Sequence, residues 1–431
     1  MSSEKHLSDV RFDQLGLHPQ LLEGIKETGF NFCTPIQAGT LPVALKGKDI
    51  AGQAQTGTGK TAAFLLAGMD HLLRSTKSTD KRQPRALIIA PTRELAIQIH
   101  SDALQLGKHT GFRFALAYGG TGYESQRKTI EAGTDFLIGT PGRLIDYFKQ
   151  HVYNLRNIEV MVVDEADRMF DLGFIADIRY LFRRMPPPDQ RLNLLFSATL
   201  NFKVTELAYE HMNQPEKVVI ESETVTADKV TQIAYYTANS EKIPVLVNLI
   251  KSQNATRSII FANTKRTVEK IRASLEGNDI QSAILSGDVP QTKRQALLKR
   301  FQNGEIDILV ATDVAARGLH IDGVSHVFNF DLPQDPEDYV HRIGRTARAG
   351  ASGDAISFAC EDFAYSLPEI EEFIGHKIPM GNIDQELLKE IKPAVKINRP
   401  PRNNRGGRPG KPGQSNSRHS ARKPQHKRTT K

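Results

Sequence analysis

The sequence has no tryptophan and only two cysteines, Cys33 and Cys360, among its 431 residues. The two cysteines are far apart in the chain and belong to no Cys/His cluster, which argues against a disulfide framework and against a structural zinc site. Such sparse cysteine usage is typical of a reducing compartment. We therefore expect a cytoplasmic protein without disulfides, in which both thiols are buried as small apolar side chains.

Long apolar runs are also absent. No stretch of about 18 apolar residues exists that could cross a bilayer, and the N-terminus MSSEKHLSDVRF has no apolar signal core. These absences predict no membrane insertion and no secretion. With 39% hydrophobic and 25% charged residues, the composition is typical of a chain that buries large cores in two or three domains.

Acidic residues are missing from residues 391–431, which contain thirteen Lys or Arg. Taking those thirteen from the 57 basic residues leaves 44 against 49 acidic residues, so the other 390 residues carry a net charge of −5. The segment is rich in Pro, Gly and Asn and has no apolar spacing, which predicts a disordered basic tail. Because the rest of the chain has a net negative charge, any surface there that binds nucleic acid must be a limited patch of basic residues.

A glycine loop with the sequence AQTGTGKT follows a short apolar segment and leads into a helical run at 61–73. Two glycines let the backbone N–H groups turn inward, the lysine can reach the β and γ phosphates, and the last hydroxyl can ligate Mg²⁺. A structural turn is the alternative, and Ala54 stands where the pattern usually has glycine. The predicted nucleotide contacts are Ala54, Gln55, Thr56, Gly57, Thr58, Gly59, Lys60 and Thr61.

Short β-rich runs alternate with amphipathic stretches from residue 9 to 215 and again from 229 to 375. This alternation predicts an α/β fold with two parallel sheets wrapped by helices. The second series has no glycine-lysine loop of its own, so we expect it to close onto a ligand held by the first. The predicted organisation is a first domain at 1–220, a linker at 221–228, a second domain with its extension at 229–390 and the tail at 391–431.

The acidic sequence DEAD, residues 164–167, directly follows the apolar strand predicted at 158–163. A carboxylate at the end of a parallel strand beside a phosphate loop is where a Mg²⁺ ligand belongs, which assigns Asp164 to the metal together with Thr61. The next acid, Glu165, can orient a water on the γ-phosphate. An ordinary helix N-cap is the alternative for four such letters taken alone.

With these features and a further set of motifs in consistent order, the chain resembles the DEAD-box RNA helicases over roughly residues 10–380. Within that family it is similar to the RhlB-type helicases of bacteria. The resemblance implies two RecA-like domains, ATP and Mg²⁺ as cofactors, and RNA-stimulated ATP hydrolysis. The motifs that carry it are GF at 29–30, TPIQ at 34–37, PTREL at 91–95, GG at 119–120, TPGR at 140–143, DEAD, SAT at 197–199, IFANT at 260–264, ATD at 311–313 and HRIGRTAR at 341–348.

Two residues ahead of the loop are expected to recognise adenine. The Gln37 amide can pair with the N6 and N7 edge, and Phe30 can stack on the ring. A core phenylalanine and a capping glutamine are the alternative for these positions taken alone. Phe12 fits the isolated upstream aromatic of the family or packs against the first helix. Cys33 stands where the family usually has proline, a change that we expect to loosen the turn.

The resemblance also assigns roles in the second half of the site. Arg345 and Arg348 lie three residues apart and act as arginine fingers on the γ-phosphate; for such a pair taken alone, a solvated basic helix edge would be preferred. Asp313 contacts the ribose. Two hydroxyls, those of Ser197 and Thr199, link Asp167 to RNA binding.

The predicted RNA contacts are backbone grips without base-reading groups, so single-stranded and short duplex RNA would be held independently of sequence. Their residues are Pro91, Thr92, Arg93, Gly120, Thr140, Arg143, Thr264, Gly287, Thr312 and Arg317. By resemblance, the partners are the endoribonuclease RNase E and the RNA degradosome, and the task is mRNA decay. An ATP-gated RNA clamp and a non-enzymatic RNA-binding or annealing protein remain as alternatives, and a DNA translocase is less favoured.

Overall fold

The computed structural model describes residues 7–55, 57–76, 83–120, 122–220, 230–253, 255–286, 289–316, 324–346 and 353–396. Several predicted features lie outside these residues: the linker 221–228, the tail from 397 onward, and Thr56, Gly287, Arg317 and Arg348.

A seven-stranded parallel sheet forms the centre of residues 7–220, which we call the first domain. The order across the sheet is β3-β4-β2-β5-β6-β1-β7. Its strands are β1 (Ile50–Gln53), β2 (Ala86–Ile89), β3 (Phe114–Ala117), β4 (Phe136–Gly139), β5 (Val160–Val163), β6 (Leu192–Ser197) and β7 (Glu216–Val219). The helices around it are α1 (Pro19–Thr28), α2 (Pro35–Ala44), α3 (Lys60–Arg74), α4 (Arg93–Leu106), α5 (Tyr123–Glu131), α6 (Pro141–Lys149), α7 (Ala166–Asp171), α8 (Ile175–Phe182) and α9 (Phe202–His211).

A six-stranded parallel sheet forms the centre of residues 230–395, the second domain. The order across it is β10-β11-β9-β12-β13-β8. Its strands are β8 (Val230–Tyr236), β9 (Ser258–Phe261), β10 (Ser282–Leu285), β11 (Ile308–Ala311), β12 (His326–Asn329) and β13 (Gly353–Ala359). Its helices are α10 (Lys242–Ser252), α11 (Lys265–Gly277), α12 (Gln291–Gln302), α13 (Asp313–Ala316), α14 (Pro336–Ile343) and α15 (Leu367–Ile374). The predicted fold class, two parallel sheets wrapped by helices, is confirmed.

The central strands are apolar on both faces because helices cover both sides of each sheet. In β5, Val160 and Val162 pack into one core, whereas Met161 and Val163 pack into the core on the opposite face. Each such side chain contributes roughly 1.5–3 kcal/mol when it is fully buried. Continuous apolar runs like this one were recognised as strands from the sequence for that reason.

The sheet order of the first domain brings distant motifs together at one edge. Strands β5, β6 and β1 are adjacent, and they end at DEAD, at SAT and at the glycine loop. Strands β3, β4 and β2 form the other half of the same edge and end at the motifs predicted to grip RNA. The topology therefore places nucleotide chemistry on one half of the edge and the nucleic-acid motifs on the other half.

The second domain extends further along the chain than the sequence indicated. Residues 376–395 lie against it, and Ile383, Leu387 and Ile391 pack on its core. Asn278 and Lys392 exchange two hydrogen bonds of 3.0 Å, and the Val395 N–H donates to the Ala273 carbonyl at 3.1 Å. The boundary set at Glu390 is therefore replaced by one at about residue 395, because apolar contacts continue beyond it.

Both cysteines are buried and unpaired, as expected for small apolar side chains. Within the described residues, no helix is both long enough and apolar enough to cross a membrane.

Candidate active site

The glycine loop joins β1 to α3, as the strand, turn and helix predicted from the sequence. Gly57 and Gly59 have φ angles of 86° and 92°, in the left-handed region that residues with a β-carbon rarely adopt. Gly59 is also the N-cap of α3, so the unpaired N–H groups of the first helical turn point into the loop. A helix N-terminus of this kind favours an anion such as a phosphate.

Lys60 is the first residue of α3 and is only 6% exposed. Its Nζ donates to the Ala54 carbonyl at 2.7 Å, so the ammonium lies over the loop. Thr58 Oγ1 donates to the Gln55 carbonyl at 2.8 Å and closes the turn. Thr61 occupies the second position of the helix. The loop therefore combines a positive charge with helix N–H groups, which is the chemistry that a phosphate chain requires.

Gln37 ties the N-terminus of α2 to the glycine loop. Its Oε1 accepts from the Thr34 N–H at 2.8 Å, and its Nε2 donates to the Gly59 carbonyl at 3.1 Å. The side chain is thus a capping glutamine, as in the alternative interpretation, and it also contacts the loop. One N–H and one or more lone pairs of the amide are left for another partner. A β-carbon at Gly59 would lie 2.5 Å from Gln37 Nε2, so only glycine permits this approach.

The two candidate aromatics differ sharply in exposure. Phe30 is 48% exposed, which leaves its ring face open to a base. Phe12 is 2% exposed and belongs to the core beside the sheet. Of the two uses considered for Phe12, the structure favours packing.

Cys33 makes a hydrogen bond that proline could not make. Its backbone N–H donates to the Val10 carbonyl at 2.8 Å, and its own carbonyl accepts from the Ser8 N–H at 2.8 Å. Proline has no N–H to donate. The expected loosening of the turn is therefore wrong, because cysteine at this position ties the N-terminal segment to the turn.

The carboxylates of DEAD lie in a buried, strained turn directly after β5. Asp164 is buried, and burial raises its pKa to about 6 even though Lys60 acts in the opposite direction. Glu165 has a φ of 50°, an unusual value for a residue with a side chain. Burial acts to raise the pKa of Glu165, but the positive charges of Arg168 and Lys60 outweigh it and hold the pKa below its usual range. Glu165 is therefore a carboxylate at neutral pH.

Asp164 and Thr61 fit a magnesium site that a nucleotide completes. Buried carboxylates need a cation nearby to remain ionised, and Mg²⁺ prefers oxygen ligands, usually one or two carboxylates together with phosphates and water. Among the described residues, no group of three or more His, Cys, Asp or Glu could hold a metal alone. The oxygens present match a metal that is bound with its nucleotide.

Asp167 connects DEAD to the SAT motif. Its N–H donates to Ser197 Oγ at 3.1 Å, and its Oδ2 accepts from the backbone N–H groups of Ala198 and Thr199 at 3.1 and 3.2 Å. The predicted link therefore uses one hydroxyl, that of Ser197. Thr199 contributes its N–H instead, and its hydroxyl is buried without a hydrogen-bond partner.

Asp313 forms a bidentate ion pair with Arg342, with both N–O distances at 2.6 Å. Arg342 is almost completely buried and also donates to the Asp331 carbonyl and to Asn263 Oδ1. Both oxygens of Asp313 are thus engaged within the protein. The structure therefore gives Asp313 a partner in Arg342, and because each carboxylate oxygen has a second lone pair, the contact with the ribose that the resemblance implies stays a prediction.

Arg345 lies where the two domains meet. Its Nε donates to the His341 carbonyl at 3.1 Å, and its positive charge adds to those of Arg168 and Lys60 in lowering the pKa of Glu165 in the first domain. A small cavity between the domains contains residues from both sides of the site. Its lining consists of Arg168, Phe261, Asp313, Ala316, Asp338, His341, Arg342 and Arg345.

A charged contact also joins the domains away from the carboxylates of DEAD. Arg294 of α12 approaches Glu94 of α4 with an N–O distance of 3.5 Å, and both side chains are largely buried. Arg294 also donates to the Ser286 carbonyl at 3.0 Å, which orients the guanidinium toward the first domain.

Arg168 was not recognised from the sequence as a site residue, although its position three residues after Glu165 on a helix indicates that the two side chains can pair.

Glu337 on α14 faces acidic residues across the same boundary. Burial raises its pKa to about 7, and so do Asp335 and Asp338 on its own element and Asp167 and Asp171 on α7. A carboxyl whose pKa is raised by contact is more protonated in the contact than away from it. The part of the rise that comes from Asp167 and Asp171 depends on the domain contact, so contact is favoured at low pH and is increasingly disfavoured as the pH rises toward about 7.

Glu337→Gln should strengthen domain closure at pH 8, by a factor of about three to ten because solvent screens a half-exposed carboxyl. The gain should shrink toward pH 5, where the parent side chain is itself largely protonated. RNA affinity in the presence of a non-hydrolysable ATP analogue at pH 5.5, 7 and 8 measures this. Glu372→Gln on exposed α15 is the control, and a gain that does not change with pH would contradict the assignment.

The predicted nucleic-acid residues gather at helix N-termini. Three threonines, Thr92, Thr140 and Thr264, are the N-caps of α4, α6 and α11. Arg93 begins α4, and its guanidinium lies against the backbone of Gly120, whose φ of 106° requires glycine. These positions offer N–H groups, hydroxyls and a guanidinium to phosphates. Pro91, just after β2 of the first domain, and Thr312, directly after β11 of the second, are both buried.

Arg143 is held by two tyrosines that the sequence did not single out. Its guanidinium carbon lies 4.7 Å from the Tyr123 ring centroid and 5.2 Å from that of Tyr147. Its Nη1 donates to the Tyr147 hydroxyl at 3.2 Å. Stacking of this kind pre-orients the guanidinium while leaving donors for another group.

Comparisons with known proteins agree with this geometry. The pattern of the DEAD/DEAH box helicase family matches residues 34–207, and that of the helicase conserved C-terminal domain matches residues 241–350. The ATP-dependent RNA helicase RhlB of Vibrio vulnificus is 54% identical over 98% of this chain and 99% of its own. The RhlB of Xanthomonas oryzae pv. oryzae is 58% identical over 92% and 69%.

The fold is similar to solved helicase structures as well. Mss116p bound to single-stranded RNA and AMP-PNP superposes with a TM-score of 0.78 at 30% identity, covering 88% of this chain and 81% of that one. The sequence comparisons and the order of strands in the two sheets indicate the same family. The chain therefore belongs to the DEAD-box family, within the group of ATP-dependent RNA helicases named RhlB.

Proposed function

We propose that this protein opens short structured regions of RNA in steps driven by RNA-stimulated ATP hydrolysis. The observation that carries the proposal is the position of Arg345, which comes from the second domain and lines one cavity with Arg168 of the first, the ion-pair partner of Glu165 at 3.4 Å. A site assembled from two domains completes itself only when they close. Since both domains also present helix N-termini for phosphates, ATP and RNA would each favour closure and so favour each other.

The proposed roles follow from the contacts. Lys60 and the helix N-terminus of α3 anchor the phosphates, with Gln37 and Phe30 on the adenine. Thr61 and Asp164 would hold Mg²⁺, which neutralises charge on the phosphates when it is bound. Glu165 orients the attacking water, and Arg168 keeps that carboxylate ionised. Arg345 stabilises the charge that develops on the γ-phosphoryl group.

On the nucleic-acid side, backbone contacts would hold one strand along the edge formed by β3, β4 and β2. Contacts with phosphates position a strand without reading its sequence. A strand bent at this edge would no longer pair with its complement, so separation would be local. Hydrolysis would then remove the contacts that hold the domains together.

ATP turnover of the full chain tests the proposal, measured alone, with single-stranded RNA and with DNA of the same sequence. We expect RNA to stimulate turnover and DNA to stimulate it weakly. Equal turnover in all three conditions would overturn the proposal. A short RNA duplex in the same assay separates a helicase, which releases one strand, from an ATP-gated clamp, which binds without releasing it.

We also propose that the protein works in the cytoplasm in mRNA degradation, with RNase E and the RNA degradosome as partners. The proposal rests on the similarity to proteins named RhlB and on two cysteines that form no disulfide. Co-purification of the full chain with RNase E, with and without ribonuclease treatment, tests a direct contact. Loss of the association after RNA is digested would overturn it.

The basic tail is proposed to raise RNA affinity without choosing a sequence. Residues 397–431 contain eleven Lys or Arg and no acidic or aromatic residue, so they can neutralise phosphates but cannot stack on bases. If about five of these charges meet phosphates, deletion should reduce the slope of log affinity against log salt by about 3.5 for single strands. Turnover at saturating RNA should change little.

RNA affinity at several salt concentrations checks this prediction. Truncation after Lys396 is preferred to truncation after Glu390, because Val395 and Lys392 contact the second domain. A chain of equal length with glutamine at the eleven basic positions separates charge from length. If log affinity against log salt has the same slope for the parent and both variants, the proposed role of the basic tail in RNA affinity is wrong.

A further inference from the structure

Asp331, directly after β12, joins three separate elements of the second domain. Its carboxylate accepts from Lys242 Nζ of α10 at 2.6 Å through Oδ1 and from the Asn263 N–H at 2.9 Å through Oδ2. Its carbonyl accepts from Arg342 Nη1 of α14 at 2.6 Å. The side chain is only 3% exposed. Asp331 is therefore placed to couple movements of these three elements, and it is too buried to contact a ligand.

Asn263 continues the connection on the nucleic-acid side. Its Oδ1 accepts from Arg342 Nη2 at 2.9 Å, and its Nδ2 donates to the Leu332 carbonyl at 2.9 Å. The next residue, Thr264, is the N-cap of α11. A shift of this N-terminus would therefore move Asn263 and, through it, the Arg342 guanidinium. Arg342 lies three residues before Arg345 and directly precedes the turn that carries it.

Lys242 supplies the charge that makes a buried aspartate tolerable. It is 3% exposed, and its Nζ also lies 4.2 Å from the Phe330 ring centroid. A buried carboxylate without such a partner would be strongly disfavoured. The lysine comes from α10 and is not one of the residues predicted to contact ATP or RNA.

We infer that Asp331 is a positioning residue that couples the N-terminus of α11, on the RNA side, to Arg345 on the ATP side, with Lys242 as its counter-ion. The inference rests on the proposed RNA-stimulated ATP hydrolysis. Because the coupling runs inside the second domain, ATP binding to the glycine loop of the first domain does not depend on it. What depends on it is the effect of RNA on turnover.

Two double variants separate position from charge. Lys242→Met/Asp331→Asn and Lys242→Met/Asp331→Leu both remove the buried ion pair, but only asparagine can still accept the Asn263 N–H. We expect the asparagine variant to keep kcat/KM for single-stranded RNA within about three-fold of the parent, and the leucine variant to lose about ten-fold, the range of ordinary coupling energies. Affinity for a fluorescent ATP analogue should be unchanged in both, and melting temperatures show that both are folded.

Asn263→Ala provides an independent test, because it leaves the Lys242–Asp331 pair intact. It should lower kcat/KM for RNA by a similar factor, and adding it to the leucine variant should cause little further loss. Equal activity of the asparagine and leucine variants, or an unchanged response to RNA in Asn263→Ala, would overturn the inference. Failure of the parent itself to respond to RNA would instead refute the proposed function.

Discussion

Glu165→Gln should bind ATP and RNA as the parent does and yet lose nearly all ATP turnover. Glutamine has the same shape, but it can neither carry the charge that orients the attacking water nor accept its proton. General-base contributions of this kind are worth about 10²–10⁴ in rate. Steady-state turnover at saturating RNA, together with equilibrium binding of a fluorescent ATP analogue, measures both properties.

Two further variants make that result specific. Lys60→Ala should weaken ATP binding itself, because its ammonium is the charge lying over the loop at Ala54. Glu206→Gln removes an exposed carboxylate on α9 and should change neither property. If Glu165→Gln hydrolyses ATP near the parent rate with RNA saturating, another group must orient the water.

The fold could be predicted largely because its central strands are continuous apolar runs. Strands such as β2, β5 and β11 are buried along their whole length, and helices alternate with them. A parallel sheet with helices on both faces is the arrangement that buries such strands. Strands β7 and β8 are harder to recognise from the sequence, because they lie at sheet edges. In β7 half-buried and exposed positions alternate, but its two polar residues, Glu216 and Lys217, are adjacent, so the sequence shows no alternating pattern that would distinguish the strand from a loop.

The site was predictable where chemistry depends on residues close together in the chain. The glycine loop needs its glycines and lysine in a fixed local order, and a strand end places Asp164 and Glu165. These local patterns suggested the residues, and the resemblance to the DEAD-box family favoured the functional interpretation over a structural turn and a helix N-cap. By contrast, the partner of Asp313 is Arg342, 29 residues away in the chain. The motif at 341–348 contains several arginines, and no local sequence pattern shows which of them pairs with Asp313.

Backbone donors were a second source of error. A sequence displays hydroxyls but not the direction of N–H groups, so Thr199 was assigned a role through its side chain. In the structure its N–H contacts Asp167 instead. The same limit applies to Cys33, whose contribution is a main-chain hydrogen bond to Val10 that only the comparison with proline makes visible.

Arg345→Lys should lower RNA-stimulated turnover by about 10³-fold or more, the range in which arginine fingers act. Lysine keeps the charge but replaces a planar fork by a single ammonium on a flexible stem. The position is demanding because Arg345 is largely buried, with Nε fixed on the His341 carbonyl at 3.1 Å. That bond directs the rest of the guanidinium toward the cavity it shares with Arg168 of the first domain.

ATP affinity should survive this change, since the loop, Lys60 and Gln37 all belong to the first domain. The expected pattern is a fall in kcat at saturating RNA with little change in the binding of a fluorescent ATP analogue, as for an interaction made mainly in the transition state. Arg300→Lys makes the same replacement at an exposed position of α12, where the ion pair with Glu305 has an N–O distance of 3.3 Å, and should be silent. An Arg345→Lys enzyme that keeps more than about a tenth of the parent kcat would show that a point charge suffices, and the fork could not then be the feature that stabilises the γ-phosphoryl group.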